Sequence, residues 1–177
     1  MRIESMRIIN RLLILSITIF LTGVLAGCAT LHSEPGTTTT IVLTRHGDRD
    51  PLSKELNDKG RARAEALVKA IGNMKITAIY SPDKKRNRDT AVPLAKHLGI
   101  QTTVVKGRVS ANGVTKAMLS EHSGEIVLWV GNSGNLEAIY NLLGGEGPPP
   151  TSYGDLFIMK IKDRGKPEIT KKHYGPQ

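Results

Sequence analysis

The chain has 177 residues, enough for one domain of ordinary size with its own buried core behind a targeting segment. Its 25 Lys and Arg against 16 Asp and Glu give a formal charge of +9, which favours anionic ligands or surfaces. At 4% the aromatic residues are too few for a base-stacking platform, so no nucleic acid partner is expected. A single cysteine excludes an internal disulfide.

Residues 1–27, MRIESMRIINRLLILSITIFLTGVLAG, place Arg7 and Arg11 ahead of an apolar block from Leu12 to about Leu25 and then small residues, the pattern of a secretory signal peptide. The start is open between Met1 and Met6. The apolar block is shorter than the roughly 20 residues that a spanning helix uses. Leu25-Ala26-Gly27-Cys28 resembles the bacterial lipobox. That resemblance implies a lipid on the Cys28 thiol, cleavage just before it, and a membrane partner reached through the lipid anchor. With Ala29 rather than Asp after the cysteine, it implies the outer membrane, facing the periplasm, in an organism that has one. The competing reading is a buried cysteine inside a transmembrane anchor. Removing residues 1–27 takes away Arg2, Arg7, Arg11 and Glu4, so 22 Lys and Arg face 15 acidic residues and the exported part stays basic. Residues 28–38 then read as a lipid-anchored tether, with Pro35 and Gly36 in a polar stretch that includes His32, and residues 39–177 as the folded domain.

Thr39 to Thr44 are too continuously apolar for a half-exposed strand and predict a central strand covered on both faces. Asn57 can cap a helix from about Asp58 to Ile71, whose Ala64, Leu67, Val68 and Ile71 share one face. Lys59, Arg61 and Arg63 are expected in solvent. A strand near Thr77 to Tyr80 follows, then a helix from Arg86 to Leu98 that Pro93 should kink or restart, and a strand from Gln101 to Val105. A short helix from Val114 to Glu121 leads into a second apolar strand, Glu125 to Gly131. Another helix starts near Gly134, and strands from Asp155 to Ile161 and Glu168 to His173 close the chain. This alternation predicts an α/β three-layer sandwich with a mostly parallel central sheet, in which ligands bind beyond the carboxyl ends of the strands.

Two strand ends carry chemistry. Arg45-His46-Gly47 offers a fixed cation, an imidazole able to act as nucleophile and a glycine that lets a ligand approach the backbone, a set suited to a phosphoryl group. Residues 79–95, IYSPDKKRNRDTAVPLA, add Ser81, Pro82, Arg86, Thr90 and Ala91 at the spacing S-[TP]-D-x-x-R-x-x-x-T-A, and LNDKGRARA and YGDLFIMKI lie where further family motifs are expected. From residue 39 to about 175 the chain therefore resembles the histidine phosphatase superfamily, the phosphoglycerate mutase-like proteins. The resemblance implies that His46 attacks phosphorus and carries it as phosphohistidine. It also implies that Arg45 and Arg86 hold the phosphate oxygens, and that no metal or other cofactor is needed. Arg49 can add a third contact, since RHGDRDP is also similar to R-H-G-x-R-x-P of the larger acid phosphatase branch. Arginine suits the task because its planar fork matches phosphate oxygens and keeps its charge.

The chain departs from the family where relatives have G-H-S and it has Gly131-Asn132-Ser133. Asn132 can hydrogen-bond a phosphate or cap a helix, but it cannot carry the charge that steadies the transferring group. The acidic residue expected before the third helix is missing from residues 109–118, VSANGVTKAM, which leaves Asp48, ahead of Asp50, as the expected general acid. His97, His122 and His173 are expected at the surface. Three readings remain open. The first is a metal-independent phosphatase of a phosphomonoester or phosphohistidine, with weakened activity, acting on a phosphorylated small molecule or phosphoprotein. The second is a lipoprotein that binds phosphate or an anionic ligand without turnover. The third is metal-dependent phosphotransfer at Asp48-Arg49-Asp50.

Overall fold

The computed structural model describes residues 30–107 and 110–177, so the signal segment and Cys28 lie outside the described residues. Six strands form one sheet: β1 (Thr38–Arg45), β2 (Ile76–Pro82), β3 (Thr102–Val105), β4 (Ile126–Gly131), β5 (Asp155–Lys162) and β6 (Glu168–His173). They lie in the order β3-β2-β4-β1-β5-β6. The four strands on the β3 side run parallel, whereas β5 pairs antiparallel with β1, and β6 antiparallel with β5. The expected α/β sandwich with a mostly parallel sheet is the observed one.

Among the described residues, four helices cover the sheet: α1 (Asp58–Ile71), α2 (Lys85–Leu98), α3 (Ala111–Glu121) and α4 (Ser133–Leu142). Side chains alternate across a strand, so β1 sends Ile41 and Leu43 to one face and Val42 to the other, and β4 divides Val127 and Trp129 from Leu128 and Val130. The first face packs on Val114 and Met118 of α3 and Ile139 and Tyr140 of α4. The second packs on Leu67 and Ile71 of α1 and Ala91 and Leu94 of α2. Burial on both faces is why these two strands read as continuous apolar runs.

Asn57 caps α1 as expected, its side-chain oxygen accepting from the Gly60 amide at 3.0 Å. Helix α2 does not restart at Pro93 but runs as one helix through it. Thr90, Ala91, Leu94 and Ala95 bury on both sides of the proline and keep the two halves in register despite the forgone amide bond. The stretch expected as tether is also docked from Leu31 onward. Leu31 N donates to Leu142 O at 2.7 Å, Ser33 N to Lys162 O at 3.0 Å, and the buried Ser33 hydroxyl meets those of Thr37 and Thr39. These contacts lie at the amino end of β1, opposite the edge where its Arg45 emerges.

Candidate active site

Parallel pairing carries β1, β4 and β2 to one edge of the sheet, with Arg45 level with Gly131. The segments that leave this edge supply Arg45 and His46 after β1, Asn132 after β4 and Arg86 in the first turn of α2. His46 N donates to Gly131 O at 3.0 Å, which fastens the backbone of this histidine to the end of β4. The Gly47 amide donates to Thr90 Oγ1 at 2.9 Å, and that hydroxyl donates to Arg86 O at 2.7 Å. The threonine of the second motif thus ties the histidine loop to the helix that holds Arg86.

Gly47 has a packing role. A Cβ there would stand 2.6 Å from Gly60 O, and one on Gly60 would collide with Asp48 O. The absent side chains are needed for the histidine loop to lie on the first turn of α1.

His46 is 2% exposed. Its Nδ1 donates to Gly47 O at 2.8 Å, so Nε2 is the unprotonated nitrogen, and it accepts from Arg86 Nε at 3.0 Å. Burial first, and then the charges of Arg86, Arg45 and Arg49, lower its pKa to about 4 against the partial opposition of the Gly47 hydrogen bond. At neutral pH the imidazole is therefore neutral, with a lone pair on Nε2 as a nucleophile requires.

Three guanidiniums crowd this nitrogen. Arg86 is pushed below its ordinary value by burial and then by the charges of Arg49 and Arg45. Arg45 donates through Nη1 to Thr151 O at 2.9 Å, and Arg49 through Nη1 to Asp50 O and Ser53 O, while the Nε of each is buried without a partner. Like charges held together with unpaired donors suit an anion. Asn132 joins it through its side-chain oxygen, which accepts from Arg86 Nη2 at 3.1 Å. Its backbone amide is capped by Asn135 Oδ1 at 2.8 Å. The structure thus brings together His46, Arg45, Arg49, Arg86 and Asn132.

Asp48 is a correction. Its carboxylate is turned to Arg63, which donates from Nε at 2.6 Å and from Nη2 at 3.4 Å. Burial alone would raise the Asp48 pKa, but the hydrogen bond and charge of Arg63 outweigh it and hold the group below its usual value, so it stays ionised and is no proton donor. Asp50 turns elsewhere and accepts from Asn57 Nδ2 at 3.0 Å, so Asp48 and Asp50 do not converge as a metal site would need. Arg63, expected in solvent with Lys59 and Arg61, is 2% exposed. Its spacing was the missed signal, since residues 63, 67 and 71 share the buried stripe of α1. His97 and His173 are exposed, and His122 binds Glu125 and Tyr80 away from the site.

Sequence reasoning also missed Tyr153. Its ring lies 4.1 Å from the Arg45 guanidinium and meets the His46 ring edge-on at 5.7 Å between centroids, walling the site from the loop before β5.

Residues 41–108 match the family model of the histidine phosphatase superfamily, branch 1. Over that stretch, which is less than half of the chain, the sequence is similar to the superfamily. The matched stretch contains His46, Arg45, Arg49 and Arg86. An 8-oxo-(d)GTP phosphatase of Mycolicibacterium smegmatis is 35% identical over 73 residues, which are 37% of this chain and 23% of that protein, so the chain aligns to under a quarter of its relative's length. The histidine phosphatase fold is shared with solved structures across most of both chains. The protein histidine phosphatase SixA, complexed with tungstate, superposes with a TM-score of 0.59 at 14% identity over 76% of this chain and 96% of its own. A mycobacterial glucosyl-3-phosphoglycerate phosphatase in complex with VO3 gives 0.57 at 17% identity over 78% and 99%. YhfR of Bacillus stearothermophilus gives 0.58 at 19% identity over 75% and 95%.

Proposed function

We propose that the domain is a metal-independent phosphatase that hydrolyses a phosphomonoester or phosphohistidine through a phosphohistidine intermediate on His46. The observation that carries this reading is a neutral His46, its Nδ1–H committed to Gly47 O and its Nε2 lone pair set among the guanidiniums of Arg45, Arg49 and Arg86. A phosphate entering here replaces the bond from Arg86 to Nε2 with charge-assisted bonds to its own oxygens, and Nε2 then faces phosphorus. Water later displaces the phosphoryl group from the same nitrogen. The substrate class, a phosphorylated small molecule or a phosphoprotein, spans what the names of the similar proteins describe.

Asn132 weakens turnover in this reading, because an amide supplies a dipole where a protonated imidazole would supply a charge. The loss of one such donor costs about 10²- to 10³-fold in rate. It is also the observation that favours a second reading, a site that binds phosphate or another anion without turnover. A panel of phosphoesters assayed with and without chelator separates them: activity that survives the chelator and disappears in His46→Ala supports the phosphatase. Vanadate should raise the melting temperature of the wild type and far less that of Arg86→Ala. Equal stabilisation of both proteins would remove the anion site itself.

We also propose that Cys28 is lipid-modified and anchors the domain to the envelope, at the outer membrane where one exists. With the chain docked from Leu31, only a few residues separate the lipid from the amino edge of the sheet, so the site faces away from the bilayer. A Cys28→Ser protein that still fractionates as a mature membrane form would refute the anchor.

A further inference from the structure

The transfer to His46 needs a proton for the departing oxygen, and the carboxylate expected to give it is bound to Arg63. We propose that Tyr153 is the proton donor, its hydroxyl protonating the leaving oxygen as His46 attacks phosphorus. The inference rests on the phosphatase reading.

Three observations converge on this side chain. The phenol oxygen lies 3.5 Å from Arg45 Nη2, and the ring lies over the same guanidinium, so the hydroxyl is held beside a group that binds a phosphate oxygen. The ring meets that of His46 at 5.7 Å between centroids, so the phenol borders the same site.

The backbone fixes the position. Gly154, next in the chain, has φ +87 and lies so close to Arg63 Nη1 that a Cβ would collide with it, and Gly154 O accepts from Tyr174 N at 2.9 Å. The buried Arg63 that removes Asp48 from proton transfer therefore also seats the turn that presents Tyr153.

In the first step the bond from His46 Nε2 to phosphorus forms, the bond from phosphorus to the leaving oxygen breaks, and the Tyr153 proton passes to that oxygen to give an alcohol. In the second, water attacks phosphorus and the Nε2 bond breaks. The phenolate takes the water's proton, which restores both side chains and releases inorganic phosphate. General acid catalysis of this kind contributes about 10²- to 10⁴-fold, and only where the leaving group is a poor one.

Tyr153→Phe keeps the ring on Arg45 and removes only the hydroxyl. Expected is a fall in kcat/KM of about 100-fold or more on an alkyl phosphomonoester, no more than about threefold on p-nitrophenyl phosphate, whose nitrophenolate leaves unaided, and an unchanged vanadate-induced shift in melting temperature. Equal losses on the two substrates, or no loss on the alkyl ester, would overturn the assignment to Tyr153 and leave the phosphatase reading intact. A wild-type protein that turns over neither substrate, or a His46→Ala protein as active as wild type, would instead overturn the phosphatase reading and this inference with it.

Discussion

Replacing Arg63 by Met keeps much of the aliphatic volume on the buried face of α1 and removes the charge. The wild-type guanidinium makes two bonds to Asp48, one to Tyr174 O at 2.5 Å and one to Pro176 O at 2.7 Å, so it joins the histidine loop to the end of the chain. The main loss is the partner of a carboxylate that is itself 8% exposed. Breaking a buried pair from one side costs about 3–5 kcal/mol, because an unpaired charge remains. The Pro176 carbonyl is only partly buried, so water can replace that bond, whereas the Tyr174 carbonyl is buried and its lost bond adds to the cost. At about 2–4 °C per kcal/mol for a domain of this size, the melting temperature should fall by roughly 6–20 °C.

The sign of the pH dependence is fixed by the depressed pKa of Asp48. In the wild type the pair contributes fully above the unfolded carboxyl value of about 4, and the contribution fades as pH falls through the lower folded value. In Arg63→Met the carboxyl can escape its isolation by taking a proton, so the gap between the two proteins should narrow on acidification. Urea unfolding followed by circular dichroism from pH 8 to pH 4 measures both effects, and Asp48→Asn combined with Arg63→Met should recover part of the loss. A penalty under about 1 kcal/mol at pH 7, or one that does not narrow in acid, would show that the pair does not hold the loop.

Asn132→His should raise kcat by about 10- to 100-fold with little change in vanadate affinity, because a charged ring acts mainly on the transition state; if kcat stays at background, the missing imidazole is not the defect. The low pKa of His46 makes a stability prediction: the unfolded chain takes up a proton near pH 6.5 and the folded one only near 4, so stability should fall between those values. His46→Gln should lack that slope, gaining on the order of 2 kcal/mol over wild type at pH 4.5 and much less at pH 7.5, by urea titration at each pH. Gly60→Ala drives a methyl group into Asp48 O and should cost about 3 kcal/mol or more while abolishing vanadate stabilisation; a neutral outcome would mean that the histidine loop does not need its contact with α1.

Much of this site is written locally. Arg45 and His46 stand where an apolar strand stops, and the strand is legible because burial on both faces leaves no polar alternation. The α1 start is legible because Asn57 caps its own first turn, and Arg86 and Thr90 lie one turn apart on the helix that carries both. Each of these features depends on residues within a few positions of one another, so spacing reveals it. The fates of Asp48, Arg63 and Tyr153 were decided only in three dimensions. Asp48 and Arg63 are 15 residues apart, and Arg63 and Tyr174 are 111, so no local period pairs them. A charged side chain reads as solvated until the partner that makes its burial tolerable is in place. The antiparallel return of β5 beside β1 brings the loop before it, with Tyr153, to the same edge as His46. That meeting depends on which strands become neighbours, and neighbours are chosen by packing the whole sheet between its two layers of helices.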